Sequence, residues 1–145
     1  MDFKTKFISN IRKVFETELC TKRAHESAKS LLDEFFIDLR DKTVEVSDVA
    51  LTNFSVDIRG NSYSIKMYDS RLTIDYSLNN IKVTAITNSY GNAYDFNYDP
   101  SKFDYLLQGD KSFDEETLHS YVVETFQKPL EKIIGKEVAI STDNI

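Results

Sequence analysis

Asp57, Lys66 and Asp75 are the residues of this chain whose types and spacing come nearest to a chemical site. If hairpins close at Gly60-Asn61 and at Asp69-Ser70, Asp57 and Asp75 face the same side two strands apart, roughly 9.6 Å at ordinary strand spacing. Lys66 then lies diagonal to both. As a site this is a carboxylate pair with a lysine between its members. The plainer reading is a solvated sheet face on which opposite charges are neighbours. We expect the plainer one, because an open face does not supply the desolvation that shifts a carboxylate pKa.

Other reactive side chains are scattered. Glu115 precedes His119 by four residues, which places both on one helical face, but no H-x-x-x-H or C-x-x-C pattern supplies further metal ligands. His119 therefore reads as a surface or boundary histidine. His25, the other histidine, falls on an expected helix. Cys20 has Lys22 and Arg23 nearby, which would favour a thiolate, yet no pattern ties a histidine to it, and an inert half-buried thiol is expected. Four glycines, at 60, 91, 109 and 135, leave no phosphate loop, dinucleotide fingerprint or nucleophile elbow. No catalytic residue, metal ligand or cofactor is assigned. Tyr90, Tyr94, Tyr98 and Tyr105 stand among Asn and Asp residues, Asp95 included. A Tyr/Asp surface suits a basic protein partner; the same residues also suit the wet rim of a core.

The elements that position these groups centre on residues 51–98. Phe54, Val56 and Ile58 alternate with Ser55, Asp57 and Arg59, and Gly60-Asn61 suits a two-residue hairpin. Closing there pairs Ile58 with Tyr63, Val56 with Ile65 and Phe54 with Met67. A turn at Asp69-Ser70 pairs Ile65 with Ile74 and Tyr63 with Tyr76, and one at Asn79-Asn80 pairs Ile74 with Ala85. The open-face rows become Asp57-Ser64-Asp75-Thr84, Ser55-Lys66-Thr73-Ile86 and Arg59-Ser62-Ser77-Lys82. A fifth strand around Tyr94, Phe96 and Tyr98 follows a looser loop from Asn88 to Asn92.

Residues 2–41 contain no Gly or Pro, and apolar side chains recur at helical spacing from Phe3 to Phe15 and from Ala24 to Leu39. The stripe thins at Cys20-Thr21-Lys22-Arg23, where we expect a bend between two helices. An unbroken helix would overhang the sheet and need a partner to cover its end. Thr43 to Val46 suits a short strand, and Ser101 to Asp110 a partly packed connection. Ser112 to Glu115 fits a capping box, Pro129 is expected to kink or restart the helix that follows, and Gly135 to stop it. Val138 and Ile140 suit a last edge strand.

With 145 residues, one α+β domain spanning 1–145 is expected: helical at 1–42, an antiparallel meander of four or five strands at 51–98, and a helix at 112–135, with the helices on one sheet face. The formal charge of −6 argues against a general binder of nucleic acid. A single cysteine suits a reducing compartment, and no segment reads as a bilayer span or secretory signal, so a cytoplasmic location is expected. Phe3, Phe7, Ile8 and Ile11 with Lys4, Lys6, Arg12 and Lys13 form a basic amphipathic helix of the kind that lies on anionic bilayers. We expect that stripe to pack on the sheet instead, so a membrane surface is not the expected partner. The function expected is a small acidic interaction protein, not an enzyme, that binds a protein partner or itself as a homodimer. An inhibitor or immunity-type role fits that profile. The alternatives are a ligand-binding domain or enzyme with a pocket between helices and sheet, and membrane attachment through the first helix.

Overall fold

The computed structural model describes residues 2–77, 80–88, 90–98, 106–108 and 111–135. Helices α1 (Phe3–Val14), α2 (Glu16–Lys42) and α3 (Val44–Ala50) come first, and a short 3-10 turn leads into the sheet. Strands β1 (Phe54–Arg59), β2 (Ser62–Met67), β3 (Ser70–Tyr76), β4 (Asn80–Thr87) and β5 (Tyr90–Tyr98) form an antiparallel meander. Two short strands, β6 (Leu106–Gln108) and β7 (Lys111–Ser112), extend its β5 edge, and α4 (Glu115–Ile134) follows. The α+β class and the element order are those expected from the sequence.

Strand alternation makes one face apolar: Val56, Tyr63, Ile65, Leu72, Ile74, Ile81, Val83, Ala85 and Phe96 are all buried. Two helices cover that face. In α2 the buried row Cys20, Ala24, Ala28, Leu32 and Phe36 repeats every four residues, so it runs along one side of the helix. In α4 the corresponding residues are Leu118, Tyr121, Thr125, Phe126 and Pro129. Both rows join the sheet residues in one core.

The first hairpin closes as expected, with Ile58 opposite Tyr63, Val56 opposite Ile65, and Gly60 at φ 61° in the turn. The next two hairpins are each displaced by two residues from the expected register. Ile65 pairs with Leu72 and Tyr63 with Ile74; Ile74 pairs with Val83 and Tyr76 with Ile81. A two-residue shift keeps every side chain on its face, so the apolar pattern does not distinguish the two registers. The turns decide. Tyr68, at φ 53°, takes the turn position, which frees Ser70 to begin β3 as a buried residue. At the next turn the Ser77 amide donates to the Asn80 carbonyl at 2.9 Å. Strand β5 starts at Tyr90, opposite Thr87, rather than after a looser loop.

The helices also differ from expectation in detail. The interruption falls at Phe15 (φ −107°, ψ 23°), not at residues 20–23. Residues 44–50 are helical rather than a strand. Helix α4 is capped by Asp114, whose carboxylate accepts from the Thr117 amide at 2.8 Å, and not by Ser112. Gly135 ends it in the left-handed conformation, as expected. The expected connection over 101–110, apart from β6, and the expected edge strand at Val138 and Ile140 lie outside the described residues.

Pro129 does not divide α4, and one contact explains how the helix tolerates it. Proline has no amide hydrogen, so the Thr125 carbonyl loses its donor four residues on. The Thr87 hydroxyl, from β4, donates to that carbonyl at 3.0 Å instead. Thr87→Val should therefore cost about 1 kcal/mol. In a Pro129→Ala background, where the amide returns, the same change should cost clearly less. A double-mutant cycle by urea unfolding measures this; an equal cost in both backgrounds would contradict the assignment.

Candidate interaction site

The open sheet face holds four of the residues singled out in the sequence, in a different arrangement from that expected. The observed rows are Asp57-Ser64-Thr73-Thr84, Ser55-Lys66-Arg71-Ile86 and Arg59-Ser62-Asp75-Lys82-Asp95. Asp57 and Asp75 therefore do not share a row, and the carboxylate pair bridged by Lys66 is not formed. Asp57 accepts from the Ser55 hydroxyl at 3.1 Å. Lys66 lies opposite Arg71, a like charge, and its ammonium donates to the Thr52 carbonyl at 2.8 Å. Asp75 and Asp95 flank Lys82. Asp57, Arg59, Ser62, Ser64, Arg71 and Thr73 line a concavity of about 300 Å³. Arg59 keeps its expected place opposite Ser62, whereas Arg71 entered this group through the register shift, which hairpin pattern alone does not reveal.

The tyrosines separate from the aspartates because β5 alternates. Tyr94 and Tyr98 pack against the core on the helix side, while Asp95 faces the open side; Tyr90 is 85% exposed at the strand's start. Tyr94 stacks on Tyr121 with ring centres 4.8 Å apart and donates its hydroxyl to Glu124 at 2.6 Å. That hydrogen bond, together with partial burial and the Glu124 charge, pushes the Tyr94 phenol up to about 12. Burial, then the neighbouring Tyr94 and Glu124, pushes Tyr121 up to about 12 as well. Neither phenol is thereby suited to act as a base at neutral pH. Deeper in, the Tyr63 hydroxyl donates to Asp33 and accepts from Lys29, which tethers α2 to β2 through its polar tip.

His119 lies 3.7 Å from Glu115 and against Phe35, at the boundary as expected. Cys20 is buried. Among the described residues no three of His, Cys, Asp and Glu converge as a metal site requires. His25 is buried, edge-on to Tyr76 at 5.7 Å, and neither ring nitrogen has a hydrogen-bond partner among the described residues. It borders a concavity of about 480 Å³ shared with Glu18, Thr21, Lys22, Glu26 and Tyr76.

Helix α1 is the largest departure from expectation. Not one of its residues is buried. Phe3 is 81% exposed and Val14 73%, and Phe7, Ile8, Ile11 and the adjoining Phe15 are all exposed too. The stripe expected to pack on the sheet does not, because sheet cover begins only at Cys20. At 100° per residue, Phe3, Phe7, Ile8, Ile11, Val14 and Phe15 occupy one arc. The Phe3 and Phe7 rings stack upon each other, centres 5.8 Å apart. Four cations, Lys4, Lys6, Arg12 and Lys13, and no acidic side chain complete the helix. The arrangement places no reactive groups together on α1.

Burial holds His25 below its ordinary value near 6.5, so the folded chain resists the proton more than the unfolded chain does. Above the ordinary value both states are neutral and nothing is lost. As pH falls through it the unfolded state takes up the proton first, and stability drops. The urea midpoint should fall between about pH 7.5 and 5.5, and His25→Phe should flatten that fall. An unchanged slope in the variant would assign the acid sensitivity elsewhere. Comparison with protein-family models, with curated proteins and with solved structures finds no match for this chain.

Proposed function

We propose that this chain is a small acidic interaction protein rather than an enzyme, and that α1 is the element by which it engages a partner or a second copy of itself. The observation that carries this reading is the complete lack of burial along α1, whose apolar residues contribute nothing to the core. A monomer seldom keeps so continuous an apolar strip in water without a use for it. An isolated helix of this length is marginal in water, so a surface that receives it would also stabilise it. An inhibitor or immunity-type role is compatible with the net charge of −6, but no contact selects it.

One observation favours a second reading, a small-ligand domain. The concavity between α2 and β3 borders His25, a buried ring with two unanswered nitrogens. A ligand offering a hydrogen-bond donor or acceptor would satisfy one of them.

Two measurements separate α1 from the fold. Phe7→Asp combined with Ile11→Asp should leave the unfolding free energy within about 0.5 kcal/mol of wild type, because neither side chain is buried. A photoreactive phenylalanine derivative placed at position 7 in cells should give adducts, whereas the same group at Arg71, on the open sheet face, should give few. Equal labelling at the two positions, or none at position 7, would remove α1 as the contact element.

A further inference from the structure

The identity of the surface that α1 contacts can be narrowed further, on the reading just given that α1 is the contact element. Charge is the first discriminator. The helix carries four cations and no anion in a chain whose formal charge is −6, so the remainder is more acidic than the whole. Pairing α1 with α1 of a second copy would set these cations against each other.

Helix electrostatics give the second. Arg12 and Lys13 stand in the last turn, where the macrodipole welcomes cations. Lys4 and Lys6 stand at the opposite end, within the first helical positions, and the first turn holds no acidic side chain. The N-cap Asp2 carboxylate, which accepts from the Thr5 amide at 2.8 Å, offsets the dipole at that end, but the helix dipole still gives no reason for two lysines there. An anionic surface lying along the whole helix accounts for all four cations at once.

Composition gives the third. The exposed apolar arc from Phe3 to Phe15 amounts to about 600 Å², as much apolar area as one side of a stable dimer buries, so its extent alone does not choose the occupant. It does suit a helix half-immersed in a lipid interface, which has a low mean hydropathy, phenylalanines on one side and Lys and Arg on the other.

We infer that α1 lies in the plane of an anionic lipid bilayer surface. Phe3, Phe7, Ile11 and Val14 enter the boundary between headgroups and acyl chains. Lys6, Arg12 and Lys13 meet the lipid phosphates, and Lys4, on the apolar side, runs its stem along the interface and lifts its ammonium to water. The attachment is peripheral: no helix among the described residues is long and apolar enough to cross a membrane. The acidic remainder of the chain is repelled by the same surface, so binding passes through α1 alone and weakens with salt.

Co-sedimentation of the whole chain with phosphatidylcholine vesicles, with and without about one third phosphatidylglycerol, tests this. Binding to the anionic vesicles at least tenfold tighter than to the neutral ones, and lost in high salt, is expected. Lys6→Gln with Lys13→Gln should weaken it more than tenfold, and Phe7→Asp with Ile11→Asp should abolish it. Absence of binding by the folded wild-type chain, or equal binding to both vesicle types, overturns the inference. If absence is accompanied by a salt-resistant dimer that Phe7→Asp dissociates, α1 remains the contact element with a second copy as its occupant. If position 7 also yields no photo-adduct of any kind, the broader reading falls with it.

Discussion

The apolar face of the meander must be kept dry, and the α2 row Cys20-Ala24-Ala28-Leu32-Phe36 covers one part of it. The row holds small side chains at its start and large ones at its end, where Leu32 and Phe36 are fully buried. Helix α4 closes the other half through Leu118, Tyr121 and Phe126. Every strand's alternation then has to agree with those two rows. Ile65, Leu72, Ile74 and Val83 are inward because outward placement would face them to water while leaving the helix rows uncovered.

That constraint explains which parts of the fold were legible in the sequence. Which face each strand residue takes depends on a period of two, and the pattern from Phe54 to Phe96 displays it openly. Pairing between strands carries a further degree of freedom, since a shift of two residues preserves the face. Only the first hairpin, with Gly60 in its turn, was fixed by its turn chemistry. The second depends on Tyr68 adopting a positive φ, which bulky residues seldom do, and the sequence offered Asp69-Ser70 as the easier turn. The misplaced Asp57-Lys66-Asp75 cluster follows directly from that choice.

The exposure of α1 was illegible for a different reason. A stripe of Phe3, Phe7 and Ile11 has the same spacing whether it faces a core, a partner or a lipid, so periodicity gives the face and not its occupant. Its burial depended on where the sheet ended relative to a helical segment longer than the sheet is wide. Elsewhere the places where local rules fail have answers in three dimensions. Pro129 inside a helix is answered by Thr87, and Tyr63 in the core by Lys29 and Asp33. At the start of α1 the Asp2 carboxylate, accepting from the Thr5 amide at 2.8 Å, answers the dipole that Lys4 and Lys6 oppose, whereas the exposed apolar arc of that helix has no cover within the described residues, and it is at such unanswered positions that function is best sought.

Helices α1 and α2 meet at Phe15. Its backbone leaves helical geometry for a single residue, yet the Phe15 amide still donates to the Ile11 carbonyl at 3.2 Å and the Leu19 amide to the Phe15 carbonyl at 3.0 Å. Each of these bonds ends at Phe15, so they hold the helix on either side of it without by themselves fixing the angle between the two. Helix α2 is in turn clamped to the sheet along its buried row. Whatever holds α1 therefore keeps the sheet close by through a joint of one residue, while leaving the polar face that bears Arg59, Arg71, Asp75 and Asp95 to take its own direction.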